Sequence, residues 1–234
     1  MFTRLGGLMF FLFLCASFLW LGDGQAVAGQ YCERTNYSAQ DITDAVRNSP
    51  LRDGLKGTSC SLGGLGRFES GGNKGNYNGS CCTGIFQLNN ANVQKYAGTD
   101  RAGYGCMSLQ DQVGAWAKLT NDGYNSPAVS QLASMSTFDG QKVDASFIAA
   151  CIQLGTGNCQ KMLSSGKCSG FADINGTTIC RMAINARAMA DPNCQDGQVV
   201  CGPSGPGDFP TSTGIAANPP TASSASIIVN PTDV

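Results

Sequence analysis

Cysteine content is the feature that most limits what this chain can fold into. The chain has 12 cysteines, of which Cys15 lies in the first 28 residues and the other eleven follow. In an exported chain, cysteines at this density form disulfides. Zinc would instead require closely spaced pairs such as Cys-x-x-Cys, and the sequence contains none. We therefore expect a disulfide-stapled domain with at least one thiol left over, because eleven is an odd number.

The first 28 residues have the pattern of an export signal. Arg4 supplies a positive start, Leu8 to Leu21 form an apolar run, and Ala26-Val27-Ala28 is a small-residue cleavage site. The apolar run is shorter than the ~20 residues that span a bilayer, although an uncleaved anchor is the alternative. We predict a signal peptide at 1–28 and a periplasmic or secreted protein that has no membrane span after cleavage.

Cys81 and Cys82 are adjacent in the sequence. Adjacent cysteines rarely bond each other, because the usual separation of bonded Cα atoms is larger than that of neighbours in a chain. We expect the two residues to tether the central loop to two different places, or one of them to stay free.

The chain contains no histidine, which excludes Ser/His and Cys/His catalytic pairs and imidazole metal sites. Catalysis would have to use a carboxylate, a lysine, a tyrosine or a thiolate. The net charge is -1 and no basic run occurs, so we do not expect nucleic acid as a partner. No cofactor and no metal ion are predicted.

Helical patterns extend over most of residues 29–201, and no strong period-two strand pattern appears. Ser38 and Ser108 open capping boxes, Ser126 precedes a proline at the first helical position, and Asp144 is a further N-cap. The sequence predicts an all-α fold for 29–201 and a disordered tail at 202–234, which is rich in Gly, Pro, Ser and Thr. The predicted helices cover about 38–48, 62–70, 85–96, 109–121, 126–135, 144–154 and 179–189, with a short turn at 158–163.

The stretch from Phe68 to Leu88 contains one carboxylate, Glu69, and no further Asp or Glu occurs before Asp100. Any acid or base chemistry of this segment would therefore depend on a single carboxyl group with neutral polar neighbours. That isolation is the main indication of function in the sequence.

Two short motifs lie at the two ends of this stretch. A predicted helix ends in Glu69-Ser70-Gly71, and a polar loop leads to Gly84-Ile85-Phe86-Gln87-Leu88, which is expected to open the next helix. This arrangement resembles the lysozyme-like lytic transglycosylases, in which the glutamate and the glutamine are likewise 18 positions apart. A third motif of that family, Ala-Tyr-Asn-x-Gly, has an altered counterpart in Cys151-Ile152-Gln153-Leu154-Gly155. The resemblance covers roughly residues 45–165 and implies a lysozyme-like helical domain.

The resemblance also implies an activity. Glu69 would protonate the glycosidic oxygen between MurNAc and GlcNAc while the substrate's N-acetyl oxygen stabilises the anomeric centre. The same residue, now a base, would deprotonate the sugar's own 6-hydroxyl and leave a 1,6-anhydro end. Ser70, Gln87 and Gln153 are the substrate-binding residues that the resemblance implies. Peptidoglycan glycan strands are the expected partner, and the cleavage would open the wall for a secretion or conjugation apparatus.

Two other functions fit the sequence. A hydrolytic lysozyme would require a second carboxylate, and the candidates are Asp100, Asp111, Asp139 and Asp144. The chain would otherwise be a non-catalytic glycan-binding or structural module of the cell envelope, which the altered third motif favours.

Overall fold

The computed structural model describes residues 29–196, and this part of the chain is mostly helical, as predicted. The predicted signal peptide, the tail at 202–234 and Cys201 lie outside the described residues. A π-helical turn at Val93–Ala97 continues α4, and a 3₁₀ turn covers Cys168–Gly170. The α-helices are α1 (Ala39–Arg47), α2 (Asp53–Lys56), α3 (Ser59–Ser70), α4 (Asn90–Asn92), α5 (Arg101–Cys106), α6 (Leu109–Tyr124), α7 (Pro127–Ala133), α8 (Ala145–Gln153), α9 (Thr156–Ser165) and α10 (Ile179–Ala188).

Two small antiparallel sheets accompany the helices, and the sequence analysis predicted neither. Each strand has two residues, which is too short for a period-two pattern to be recognised. The larger sheet has the order β1-β2-β3-β4, and β5 pairs with β6. The strands are β1 (Gly29–Gln30), β2 (Asn76–Tyr77), β3 (Cys82–Thr83), β4 (Leu88–Asn89), β5 (Thr137–Phe138) and β6 (Gln141–Lys142).

The predicted helix starts are confirmed at four positions. The side chains of Ser38, Ser108, Ser126 and Asp144 each accept a hydrogen bond from the backbone N–H three residues later, at 3.1, 3.1, 3.4 and 3.2 Å. These bonds satisfy backbone donors that the first turn of a helix leaves without partners. The capping residues therefore determine where α1, α6, α7 and α8 begin.

Several predictions of secondary structure are wrong. The helix expected at 85–96 begins only at Asn90, because residues 85–87 form a turn and Leu88–Asn89 a strand. Gln87 has φ 48°, which is left-handed and incompatible with a helix. The turn expected at 158–163 belongs to α9, and α6 continues to Tyr124 beyond its predicted end.

Helix α3 packs against α1, α8 and α10. Its Leu62 and Leu65 side chains are fully buried. Gly64 allows the closest approach: a Cβ placed on it would lie 2.0 Å from the carbonyl oxygen of Ala186 on α10. Glycine weakens an isolated helix, but here it lets the two backbones touch.

Helices α3 and α10 run in opposite directions. Cys60, at the start of α3, is bonded to Cys194, which follows α10, and Gly64 lies against Ala186 near the end of α10. The end of α3 that carries Glu69 is therefore on the same side as the start of α10.

Ten cysteines of the described residues form five disulfides, which confirms the disulfide prediction. The pairs are Cys32–Cys106, Cys60–Cys194, Cys81–Cys82, Cys151–Cys159 and Cys168–Cys180.

The expectation for Cys81 and Cys82 is wrong, because the two adjacent residues bond each other. Cys81 lies in the turn between β2 and β3 and Cys82 is the first residue of β3, and Asn78 Oδ1 accepts the backbone N–H groups of Ser80, Cys81 and Cys82. The other eight cysteines within residues 29–196 are paired elsewhere, so no third cysteine of that range is available to the hairpin.

None of the helices within residues 29–196 combines the length and the apolar character needed to cross a bilayer.

Candidate active site

Glu69 lies in the last turn of α3, one position before Ser70, where the helix ends. Its side chain is partly exposed as a whole, but the Oε1 atom is buried and has no hydrogen-bond partner. A carboxyl oxygen in this position is shielded from water without any donor to stabilise a negative charge. Ionisation of Glu69 is therefore unfavourable.

The pKa of Glu69 is raised to about 8, mainly because burial disfavours the charged form and secondly because the negative charge of Asp173 repels it. The carboxyl group is therefore protonated at neutral pH. A glutamate kept protonated by its surroundings can act as a general acid. The proton transfer to the glycosidic oxygen that the family resemblance implies for Glu69 requires this protonated state.

Asp173 is the acidic residue that the sequence analysis missed. It is more than 100 positions from Glu69 and lies outside the stretch that carries the family resemblance. The expectation that Glu69 has only neutral neighbours is therefore wrong, because Lys74 lies in the same stretch of the chain and the charge of Asp173 acts on Glu69 in space. No local sequence signal could reveal this proximity, because it depends on the packing of α10 against α3.

The four acidic residues considered as second carboxylates all accept hydrogen bonds within the protein. Asp100 accepts the Gly103 N–H at 2.7 Å, and Asp111 accepts the Ser108 hydroxyl at 2.7 Å. Asp139 accepts the Cys168 N–H at 2.8 Å, while Asp144 caps α8 and bonds Arg187. None of these carboxylates contributes to the pKa shift of Glu69.

Ser70 has its hydroxyl engaged within the protein. Its Oγ donates to the carbonyl oxygen of Gly66 at 3.0 Å and accepts the Gly72 N–H at 3.3 Å. These contacts finish α3 and start the loop that follows. Binding of substrate by Ser70 stays a prediction.

Gln87 adopts a left-handed backbone conformation with φ 48°. Its Nε2 donates to the carbonyl oxygens of Gly84 and Asn76, at 2.9 and 3.2 Å, and its Oε1 is buried without a partner. Non-glycine residues in this region are strained and are common at functional sites. The amide is therefore held in place by its own donors, and binding of substrate by Gln87 stays a prediction.

Four side-chain atoms of the described residues are buried and lack a hydrogen-bond partner. Three of them belong to the stretch from Glu69 to Gln87. Such atoms are rare in folded proteins because each costs the desolvation of a polar group. Their concentration in one stretch supports a ligand-binding role for it. The atoms are Glu69 Oε1, Thr83 Oγ1, Gln87 Oε1 and Arg101 Nε.

The loop between the two motifs is braced by Gln112, which the sequence analysis did not single out. The fully buried Gln112 side chain accepts the Ile85 N–H at 2.9 Å and donates to the carbonyl oxygens of Lys74 and Tyr104, at 3.0 and 2.7 Å. Gly84 has φ 89°, and a Cβ on it would lie 2.4 Å from the Tyr104 ring. A glutamine on the apolar face of α6, between Leu109 and Val113, is the signal that could have revealed this brace.

Gln153 connects the altered third motif to the second one. Its Nε2 donates to the carbonyl oxygen of Phe86, and its Oε1 accepts the indole N–H of Trp116 at 3.2 Å. The rings of Phe86 and Trp116 stack with centroids 4.1 Å apart. Gln153 thus holds the backbone immediately before Gln87, and a direct contact with substrate stays a prediction.

No group of three or more His, Cys, Asp or Glu side chains within residues 29–196 is arranged to hold a metal ion. Comparisons of the chain with protein-family models, with curated proteins and with solved structures found no significant match.

Proposed function

We propose that the protein cleaves the glycan strands of peptidoglycan as a lytic transglycosylase, with Glu69 as the acid and then the base. The observation that carries this proposal is the Glu69 carboxyl group at the end of α3, whose Oε1 is buried and whose pKa is about 8. A solvated structural glutamate would be ionised at neutral pH and could not donate a proton. This state supports catalysis over simple glycan binding.

In the first step, Glu69 donates its proton to the glycosidic oxygen while the bond from that oxygen to C1 breaks. The substrate's N-acetyl oxygen bonds C1 and stabilises its positive charge, so the leaving sugar departs as an alcohol. In the second step, the Glu69 carboxylate takes the proton of the 6-hydroxyl, O6 bonds C1, and the acetamido oxygen is released. Glu69 ends protonated, as it began, and no water is consumed.

The surroundings of Glu69 support this assignment. Gln112 and Gln153 brace the segment that carries Gln87, so the position of its amide is fixed before any substrate binds. We also propose a lysozyme-like fold, supported by the helix that ends in Glu69 and the braced loop after it. Five disulfides support an oxidising, extracytoplasmic location.

Hydrolysis is the second candidate, and the proximity of Asp173 to Glu69 favours it. Lysozyme-type enzymes pair a protonated carboxyl group with an ionised one, and the ionised group stabilises the sugar cation or activates water. The charge of Asp173 acts on Glu69. Both candidates use Glu69 as the acid and differ in the group that attacks C1.

Digestion of purified peptidoglycan followed by mass analysis of the muropeptides tests the proposal. Anhydro products are lighter than hydrolysed ones by one water, about 18 Da. Glu69→Gln should abolish the products, because the amide keeps the shape of the side chain but cannot deliver a proton. Asp111→Asn is the matched control, since Asp111 is exposed and lies at the start of α6.

The other possible results of this digestion point to different functions. Hydrated reducing ends would establish a lysozyme, and the absence of any Glu69-dependent product would indicate a binding module. Cleavage that survives Glu69→Gln would place the function elsewhere in the molecule.

A further inference from the structure

We infer that the loop at residues 171–178 forms one wall of the Glu69 site and supplies it with a second carboxylate, that of Asp173. This inference rests on the proposed function, because it assigns a role in the same reaction. Three features of the loop carry it: its position, its rigidity and the free oxygen of Asp173.

The position follows from the antiparallel packing of α3 and α10. Gly64 lies against Ala186, and Glu69 is five residues further along α3, which is about 7.5 Å at the rise of an α-helix. The same distance back along α10 from Ala186 reaches about residue 181, within the first turn of that helix. The segment that enters α10 therefore comes to the end of α3 that carries Glu69.

The loop is held rigidly. The Cys168–Cys180 disulfide closes it, and Thr178 caps α10 by accepting the Arg181 N–H at 3.0 Å. Within the loop, the N–H of Asp173 donates to the carbonyl oxygen of Thr177, also at 3.0 Å. Phe171 packs against the hydrophobic core.

The carboxylate of Asp173 is itself fixed at one oxygen. Its Oδ1 accepts the N–H groups of Asn175 and Thr177, at 2.9 and 2.7 Å. Nothing within residues 29–196 bonds its Oδ2. The loop thus anchors one oxygen of the carboxylate and leaves the other available.

A carboxylate beside Glu69 affects both the protonation of Glu69 and the charge that develops on the sugar. A neighbouring negative charge opposes the ionisation of a carboxyl group. The Glu69 Oε1 is shielded and lacks a donor, so Glu69 keeps its proton, whereas Asp173 Oδ1 accepts two backbone N–H groups. Asp173 then retains the proton on Glu69 before the reaction and stabilises the positive charge at C1 during it. It forms no covalent bond and transfers no proton.

Asp173→Asn tests this role, because the amide oxygen still accepts both backbone N–H groups while the charge is lost. We expect kcat to fall by about tenfold to a hundredfold. We also expect the upper pH limit of activity to move to lower pH, because Glu69 loses a neighbour that opposes its ionisation. KM and the melting temperature should stay close to those of the natural protein.

Asp191→Asn is the matched control. Asp191 also accepts the N–H two residues later, that of Asn193, at 2.7 Å. It follows the end of α10 remote from Glu69, so its substitution should move neither kcat nor the pH profile.

An Asp173→Asn variant whose kcat and pH profile match those of the natural protein would overturn the inference. If Glu69→Gln is inactive in the same assay, the proposed function survives that result; if Glu69→Gln is active, the proposed function fails first. A measurement on the unaltered protein covers the case of a misfolded variant. NMR titration should show the Asp173 carboxyl carbon responding as Glu69 ionises, and a carbon that does not respond would also overturn the inference.

Discussion

The backbone of Gly64 on α3 lies against the backbone of Ala186 on α10, so closely that a Cβ on Gly64 would stand 2.0 Å from the Ala186 carbonyl oxygen. Neither helix can shift here without the other, because the contact is between the two helix backbones. The contact therefore aligns the start of α10 with Glu69. An apparently unfavourable glycine in α3 is a requirement of the site.

We predict that Gly64→Ala destabilises the fold by about 3 kcal/mol or more, since overpacking against backbone cannot be relieved by a change of rotamer. Gly114→Ala is the control: Gly114 lies in α6 with open space around its Cβ position. That variant should gain about 0.5–1 kcal/mol from helix propensity. Chemical denaturation measures both, and equal stabilities of the two variants would contradict the packing described for α3 and α10.

The pKa of Glu69 predicts a dependence of stability on pH. The folded protein holds the Glu69 proton up to about pH 8, whereas the ordinary value is 4.5. The unfolded chain therefore binds fewer protons between these values, and the free energy of unfolding falls as pH rises through that window. At pH values above this window, the raised pKa lowers the free energy of unfolding by on the order of 4 kcal/mol. At pH values below the window, it does not lower it.

Glu69→Gln removes this penalty, so its free energy of unfolding should change less than that of the natural protein between about pH 5 and about pH 9. Denaturation at the two pH values measures the difference. Asp111→Asn should follow the natural protein, and an identical pH slope for Glu69→Gln would show that Glu69 is ionised in the folded state.

The ion pair of Asp144 and Arg187 ties α8 to α10. Arg187 donates to both carboxylate oxygens at 2.9 Å. Burial acts to raise the pKa of Asp144, but the hydrogen bonds from Arg187 and Ser146 outweigh it and hold the pKa below its usual value. The stability that this lowering contributes is present above about pH 4, the unfolded value, and is lost as pH falls through the folded value.

Arg187→Met should therefore cost about 1–3 kcal/mol near neutral pH and less in acid. Lys95→Met is the control, because it breaks an exposed pair with Asp122 and should change stability little. If thermal denaturation gave equal losses for the two variants, the partly buried pair would contribute no more than the exposed one.

The disulfides should differ in their contributions to stability. Cys60–Cys194 spans 134 positions, whereas Cys81–Cys82 joins neighbours. In the chain-entropy description, the long closure contributes about 5 kcal/mol and the shortest almost nothing. Replacing Cys60 and Cys194 by serine should lower the midpoint of urea denaturation strongly, and replacing Cys81 and Cys82 should barely move it. The reverse order would mean that the hairpin tip, rather than the long closure, stabilises the domain.

The sequence allowed the capped helices and the place of Glu69 at a helix end to be predicted, since both depend on neighbouring residues. Ser38, Ser108, Ser126 and Asp144 each act within one helical turn. The rest depends on contacts between distant parts of the chain. The turn at Gln87 is held by Gln112 and Gln153 from other helices, and the charge of Asp173 acts on Glu69 from more than 100 positions away along the chain.

The contacts of residues 194–196 determine where the chain leaves the described domain, and therefore on which side of the domain a tag or linker could be attached. Cys194 bonds Cys60, and Asp196 accepts the Cys60 N–H at 3.0 Å, so the chain leaves the described domain at the start of α3. Glu69 is nine residues away along that helix, about 14 Å at its rise. An affinity tag or a surface linker joined directly after residue 196 would therefore leave from the end of α3 opposite the Glu69 carboxyl group, and an immobilised protein would keep the carboxyl group away from the support.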